Sequence, residues 1–209
     1  EPQHSIAGLR DKETALIEKN DSLKAVAYEH FRKSGRKGFP IVRSNAVQAL
    51  DDADSLLSEK GYRPEIVFFD LPGTLKSDGV IKTLSQMDYI FTPVSADRFV
   101  VESALQFVMM FNDNLVTTGL AKTKDISLFW TMVDGREKTG LYDLYGKLFA
   151  ENNFRVLDTR LPDSKRFRRE PSDDRKQVFR STILPPDASM LKGSRLRELS
   201  EEICSIING

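Results

Sequence analysis

Asp70 is the residue with the clearest chemical use. It follows Ile66, Val67, Phe68 and Phe69, four β-prone apolar residues bounded by Pro64 and by the turn-forming pair Pro72 and Gly73. That run predicts a strand over residues 66–69 buried on both faces. Asp70 is then expected at the carboxyl end of a central strand, where open parallel sheets keep their ligand crevice. A carboxylate there, followed by a turn whose backbone can approach a phosphate, suits a hydrated magnesium ion. A solvated aspartate opening an ordinary turn is the plain alternative.

A second group is basic. Arg160, Lys165, Arg166, Arg168 and Arg169 lie within ten residues, with Phe167 between them and Arg175 and Lys176 just beyond. Such a density of cations suits the phosphates of a nucleic acid and implies steep salt dependence. Asp163, Glu170, Asp173 and Asp174 are interspersed, so a solvated loop of local ion pairs is the competing reading. Arg32, Lys33, Arg36 and Lys37 form another basic run, read as a helix end that complements the helix dipole.

Other chemistries find little material. No G-x-x-x-x-G-K-[ST] loop, no G-x-G-x-x-G turn and no nucleophile elbow occurs. Cys204 is the single cysteine, which excludes an internal disulfide and a cysteine-based zinc site and fits a reducing cytoplasm. Its place in the last helix predicts a buried filler. His4 and His30 lack metal-ligand spacing, and no apolar run reaches membrane-spanning length.

The elements that must position these groups follow from periodicity. Helices are expected over residues 11–19, over a segment capped by Asn20 or Asp21 and stopped by Gly35, from Ser44 or Asn45 to about Gly61, over 77–87, 98–115, 141–152 and 194–207. Strands are expected over 39–43, 66–69, 89–94, 126–133 and 155–159. The apolar residues of the 98–115 helix, among them Phe99, Val100, Leu105, Phe107, Val108, Met109 and Phe111, surround most of it and imply deep burial. Residues 160–187 read as irregular. Strand–helix alternation argues for an α/β fold, a mostly parallel sheet with helices on both faces.

The chain of 209 residues is long enough for one sizeable core, and a composition 40% hydrophobic and 30% charged is that of a globular protein. Its 31 Lys and Arg balance 31 Asp and Glu. Any attraction to a polyanion must therefore come from a local patch.

Four segments in order carry a resemblance. They are Pro2 and Gln3; Asp70, Leu71, Pro72 and Gly73 with the later run from Met87 to Val94; Thr131, Met132, Val133, Asp134, Gly135 and Arg136; and Leu161, Pro162, Asp163, Ser164, Lys165, Arg166 and Phe167. Their order and spacing resemble the ParA/MinD family of deviant-Walker ATPases, its ParA branch in particular. The resemblance implies a P-loop NTPase-like fold and assigns Asp70 to a magnesium-bound water and, with Gln3, to the catalytic switch. It implies that the Gly73 amide senses a γ-phosphate and that Thr131, Met132, Leu161, Pro162 and Asp163 surround the nucleotide base. It also implies DNA contact through Lys165, Arg166, Arg168 and Arg169. Gly73 stands where the family's second switch has a second proline. The family's first strand, lysine-containing phosphate loop and following helix should precede Glu1. Residues 1–209 are accordingly expected to be a single N-terminally incomplete ATPase domain. The full-length protein would be an ATP hydrolase using ATP and Mg2+, while this chain alone would bind ATP poorly. The implied role is partition or maintenance of a plasmid or mobile element. It would be carried out by an ATP-dependent homodimer on non-specific DNA, with a ParB-like partner and no membrane. A non-catalytic α/β interaction module is the alternative.

Overall fold

A computed structural model describes residues 6–59, 63–73, 78–136, 140–169 and 178–209. The sequence reading treats residues 1–209 as one domain; the contacts group the chain into two compact units. One comprises Glu1–Arg43 and Ser164–Arg197, the other Ser44–Asp163 and Glu198–Gly209.

The first unit opens with two helices, α1 (Ile6–Lys19) and α2 (Asp21–Ser34). Asn20 caps α2 by accepting the Leu23 N–H, and Gly35 ends it in the left-handed conformation, φ 64°, which costs a glycine no Cβ clash. The apolar face of α2, Leu23 and Ala27, packs with Leu16 and Ile17 of α1 and with Ile183 and Leu184 of the returning segment. A buried carboxylate fastens that return. Glu13, 4% exposed, accepts hydrogen bonds from the Ser181 hydroxyl and from the Thr182 N–H and hydroxyl, while Arg10 donates to the Thr182 hydroxyl and carbonyl. The strand expected over residues 39–43 does not form: the segment is coil, with Phe39 and Val42 exposed.

In the second unit α3 (Ala49–Ser58) and α4 (Val80–Leu84) precede a parallel sheet ordered β1–β2–β3 among the described residues. Its strands are β1 (Tyr89–Val94), β2 (Asp125–Trp130) and β3 (Arg155–Val156). Tyr89 pairs with Asp125 and Val94 with Trp130 in β1–β2, and Ser127 pairs with Arg155 in β2–β3. Between the strands lie α5 (Arg98–Phe111), its π-helical extension over Asn112–Val116, and α6 (Leu141–Glu151). Even-numbered strand residues share one face. Val94, Leu128 and Trp130 pack there with Val101 and Ala104 of α5 and with Tyr142 and Phe149 of α6, and Ile90 and Ile126 pack with Val108 and Phe111 of α5. Trp130 meets Tyr142 edge-on at 5.2 Å between ring centroids. On the opposite face the Tyr89 hydroxyl donates to the Ile207 carbonyl of α8 (Leu196–Asn208), which follows the short α7 (Ala188–Leu191). The Glu202 carboxylate of α8 accepts the N–H groups of Asp158 and Thr159 just after β3. The architecture is thus α/β with a parallel sheet.

Three further expectations are corrected. Residues 66–69 are not a buried strand: Ile66, Val67 and Phe68 are 40%, 45% and 76% exposed, and the segment pairs with no described strand. A β conformation is held by its ladder, and β-propensity alone does not bury a segment that has none. Burial of α5 is one-sided, since Val101, Ala104, Val108 and Phe111 are buried while Phe99 is 76% exposed. Only one stripe of α5 meets the sheet. Cys204 is exposed; the inward stripe of α8 runs through Leu199, Glu202, Ile203 and Ile206, and Cys204 lies one residue off it.

Candidate functional site

Parallel strands present their carboxyl ends to a common edge, so the loops after β1, β2 and β3 are brought together by the sheet itself. After β1 the Val94 carbonyl accepts the Thr131 N–H at 2.8 Å. After β2 the chain continues as a one-residue bridge in which Val133 pairs with Pro162. The Leu161 carbonyl accepts the Val133 N–H at 3.0 Å, and the Val133 carbonyl accepts the Asp163 N–H at 2.9 Å. Two segments thirty residues apart, 131–136 and 161–163, are thereby zipped into one junction. That joins five of the residues assigned to the nucleotide base: Thr131, Met132, Leu161, Pro162 and Asp163.

The junction stores a local strain. Met132 sits at φ 52°, a left-handed conformation that costs a side-chain-bearing residue about 1–2 kcal/mol, and its side chain is 56% exposed. Two residues on, Asp134 accepts hydrogen bonds from the Arg136 backbone N–H and from its guanidinium in bidentate fashion. The Arg136 guanidinium pulls the Asp134 carboxyl below the ordinary carboxylate range, and Asp134 in turn raises Arg136. This self-contained pair pins the turn. Arg160 is likewise taken up, lying over the Tyr142 ring at 5.3 Å and 3.8 Å from Asp143.

No protein-family model, characterised protein or solved structure matches the chain.

Asp70 and Gly73 do not join the junction through any hydrogen bond or ion pair among the described residues. Asp70 is exposed, and no group of three or more His, Cys, Asp or Glu among the described residues is placed to hold a metal ion. Magnesium accepts as few as one or two carboxylates when phosphates and waters complete its shell. The described residues supply one aspartate and no cradle of backbone amides with a lysine, so they do not fit Mg2+–ATP by themselves. Gln3 lies outside the described residues.

The basic segment belongs to the first unit. Ser164 opens a 3-10 turn, Lys165–Arg168, by accepting the Arg166 N–H. The Arg166 guanidinium donates to the Met190 and Lys192 carbonyls, at 3.2 and 3.3 Å, and lies 5.9 Å from the centroid of the Phe179 ring. Phe179 also contacts Phe167 at 4.9 Å. Arg166 thus anchors the turn from inside, leaving Lys165, Arg168 and Arg169 exposed. Residues 170–177, with Arg175, Lys176 and three of the interspersed acids, lie outside the described residues.

Sequence reasoning passed over two features. Glu13 reads as one more helix-surface acid until its buried partners are seen. A groove of about 540 Å3 opens at the amino end of β2, lined in part by Asp113, Asp125, Glu151 and Asn153, and the buried Thr123 hydroxyl beside it has no hydrogen-bond partner among the described residues. An alternating strand pattern carries no signal for either.

Proposed function

We propose that the chain is the larger part of a ParA-like partition ATPase that works on DNA. The observation that carries the reading is the junction at the carboxyl edge of the parallel sheet. There the segment Thr131 to Arg136 is joined by reciprocal backbone hydrogen bonds to Leu161, Pro162 and Asp163, the two stretches that the family uses around the nucleotide base. In this reading the junction receives the base, Met132 offers an exposed apolar face to it, and the Asp134–Arg136 pair keeps the loop in shape. The phosphates and Mg2+ require groups that the described residues do not supply. In this reading ATP is bound and hydrolysed by a homodimer, with Asp70 and Gln3 at its switch and a ParB-like partner as its regulator. DNA contact falls to Lys165, Arg168 and Arg169, with Arg166 as a positioning residue.

The test uses the protein extended upstream of Glu1. Magnesium-dependent ATP hydrolysis that falls at least tenfold in Asp70→Ala, and adenosine nucleotide affinity that falls in Met132→Asp, are the expected results. Hydrolysis unchanged by Asp70→Ala would refute the assignment of Asp70. Nucleotide binding untouched by Met132→Asp would refute that of the junction.

One observation favours the second reading, a non-catalytic interaction module. Ile66, Val67 and Phe68 present a run of apolar side chains to solvent, and exposed apolar patches mark surfaces that another element covers. If the extended protein neither bound nor hydrolysed ATP while Phe68→Asp abolished a protein contact, that reading would replace the first.

A further inference from the structure

The neutral total of 31 basic and 31 acidic residues conceals a partition. Counted over residues 1–43 and 164–197, the first unit holds 19 Lys and Arg against 10 Asp and Glu; the second holds 12 against 21. The net charges are therefore +9 and −9. A unit so basic attracts polyanions, and the 3-10 turn holds only part of its charge.

Four more of its cations, Arg32, Lys33, Arg36 and Lys37, lie within six residues at the end of α2. Arg32 and Lys33 occupy its last turn, where Glu29 pairs with both at 3.0 and 3.7 Å. A helix terminus carries about half a unit charge, which those two cations already answer. Arg36 and Lys37 come after the Gly35 stop, on an exposed coil, and form no ion pair among the described residues. Neither dipole nor partner explains them. Exposed aromatic side chains flank the run: Tyr28 is 68% exposed and, four residues before Arg32, shares its helix face, while Phe39 is 56% exposed.

We propose that Arg36 and Lys37, supported by Arg32, form a second phosphate-contacting arm for duplex DNA, separate from the 165–169 turn. The proposal rests on the DNA reading above and adds a binding site to it. Duplex DNA is favoured over an anionic membrane because Leu23 and Ala27 of α2 are already packed inside the unit, and the large apolar residues the helix leaves exposed, Val26 and Tyr28, are two positions apart and so lie on opposite sides of it, which leaves no continuous apolar face to insert in a bilayer. Two cations on an exposed coil suit the outer phosphates of a duplex, whose contacts carry no sequence information.

The experiment measures binding of the 209-residue chain to a fluorescent duplex of arbitrary sequence by anisotropy across a salt series. Three proteins are compared: the unaltered chain, Arg36→Gln/Lys37→Gln and Arg168→Gln/Arg169→Gln. The unaltered chain is expected to bind with steep salt dependence. Losing two phosphate contacts should lower the slope of log K against log salt by about 1.8 and weaken binding about tenfold or more at low salt. Both residues are exposed, so far-ultraviolet circular dichroism should stay the same. If Arg36→Gln/Lys37→Gln kept the unaltered affinity and slope while Arg168→Gln/Arg169→Gln lost both, the second arm would be overturned and the DNA reading would stand. If the unaltered chain showed no salt-dependent binding, the arm would be overturned, while the ATP-dependent DNA reading of the extended protein would stand. The arm would also be overturned if the Arg36→Gln/Lys37→Gln chain lost only its adsorption to phosphatidylserine vesicles.

Discussion

Glu13 should be the most sensitive single side chain of the basic unit. Its carboxylate is 4% exposed and receives three hydrogen bonds, from the Ser181 hydroxyl and from the Thr182 N–H and hydroxyl, the latter two at 2.6 Å. Hydrogen bonds to a charged acceptor contribute about 1.5–3 kcal/mol each, so the gross stabilisation is about 4.5–9 kcal/mol. Desolvating the carboxylate costs several kcal/mol of that. Glu13→Ala, which strips three donors of their acceptor and opens a cavity, should therefore destabilise by about 3 kcal/mol. Glu13→Gln keeps the volume but turns an acceptor into a donor facing other donors, and should cost about 2 kcal/mol. Urea unfolding at neutral pH measures both. A double-mutant cycle with Thr182→Val should yield a coupling of about 1 kcal/mol or more, because the two side chains meet directly. Since Glu13 fastens the segment that returns from the basic turn, the DNA affinity proposed for that turn should fall along with stability. A loss below about 0.5 kcal/mol in Glu13→Gln, or additivity within error in the cycle, would show that the clasp does not hold the unit together.

Two further predictions concern the sheet-bearing unit. Gly79 stands at φ 82° with the place of a Cβ only 2.7 Å from backbone atoms of Ala46 and Val47, which cannot swing aside. Thr83 ties the same segment by donating to the Ala46 carbonyl at 2.8 Å. Gly79→Ala should thus lower the unfolding free energy severely, by about 3 kcal/mol or more, whereas Gly119→Ala in the same unit, at φ 75° with open space around it, should lose only about 1 kcal/mol; equal losses would show that the close approach is not real. For the junction, a carbon-13 titration should find the Asp134 carboxyl below the ordinary value of about 3.9 and returning towards it in Arg136→Gln. Because the folded state lowers this pKa, the pair's contribution is present above the unfolded value and disappears as pH falls through the folded one. An Asp134 titration indifferent to Arg136→Gln would dissolve the pair.

The sequence alone determined those elements whose signals are local. Asn20 and Gly35 bound α2 because a side-chain oxygen and a missing Cβ act within a few residues. The run Tyr89 to Val94 and the helical period after Gly140 placed β1 and α6 to within a residue. Strand–helix alternation announced the parallel sheet for the same reason, since crossovers leave a regular spacing. What depends on distant partners was decided only in three dimensions. Residues 66–69 have as strong a strand pattern as residues 89–94, yet among the described residues only the latter pair with another strand, and Asp70 lies on exposed coil. Arg166 looks like its basic neighbours in sequence, but two backbone carbonyls and a phenyl ring hold it inward. The charge balance shows the contrast most plainly. Composition sums over the whole chain and reads zero, while packing sorts the same residues into one unit of +9 and another of −9. An electrostatic field depends on where charges sit as well as on how many there are, and only the folded chain specifies where.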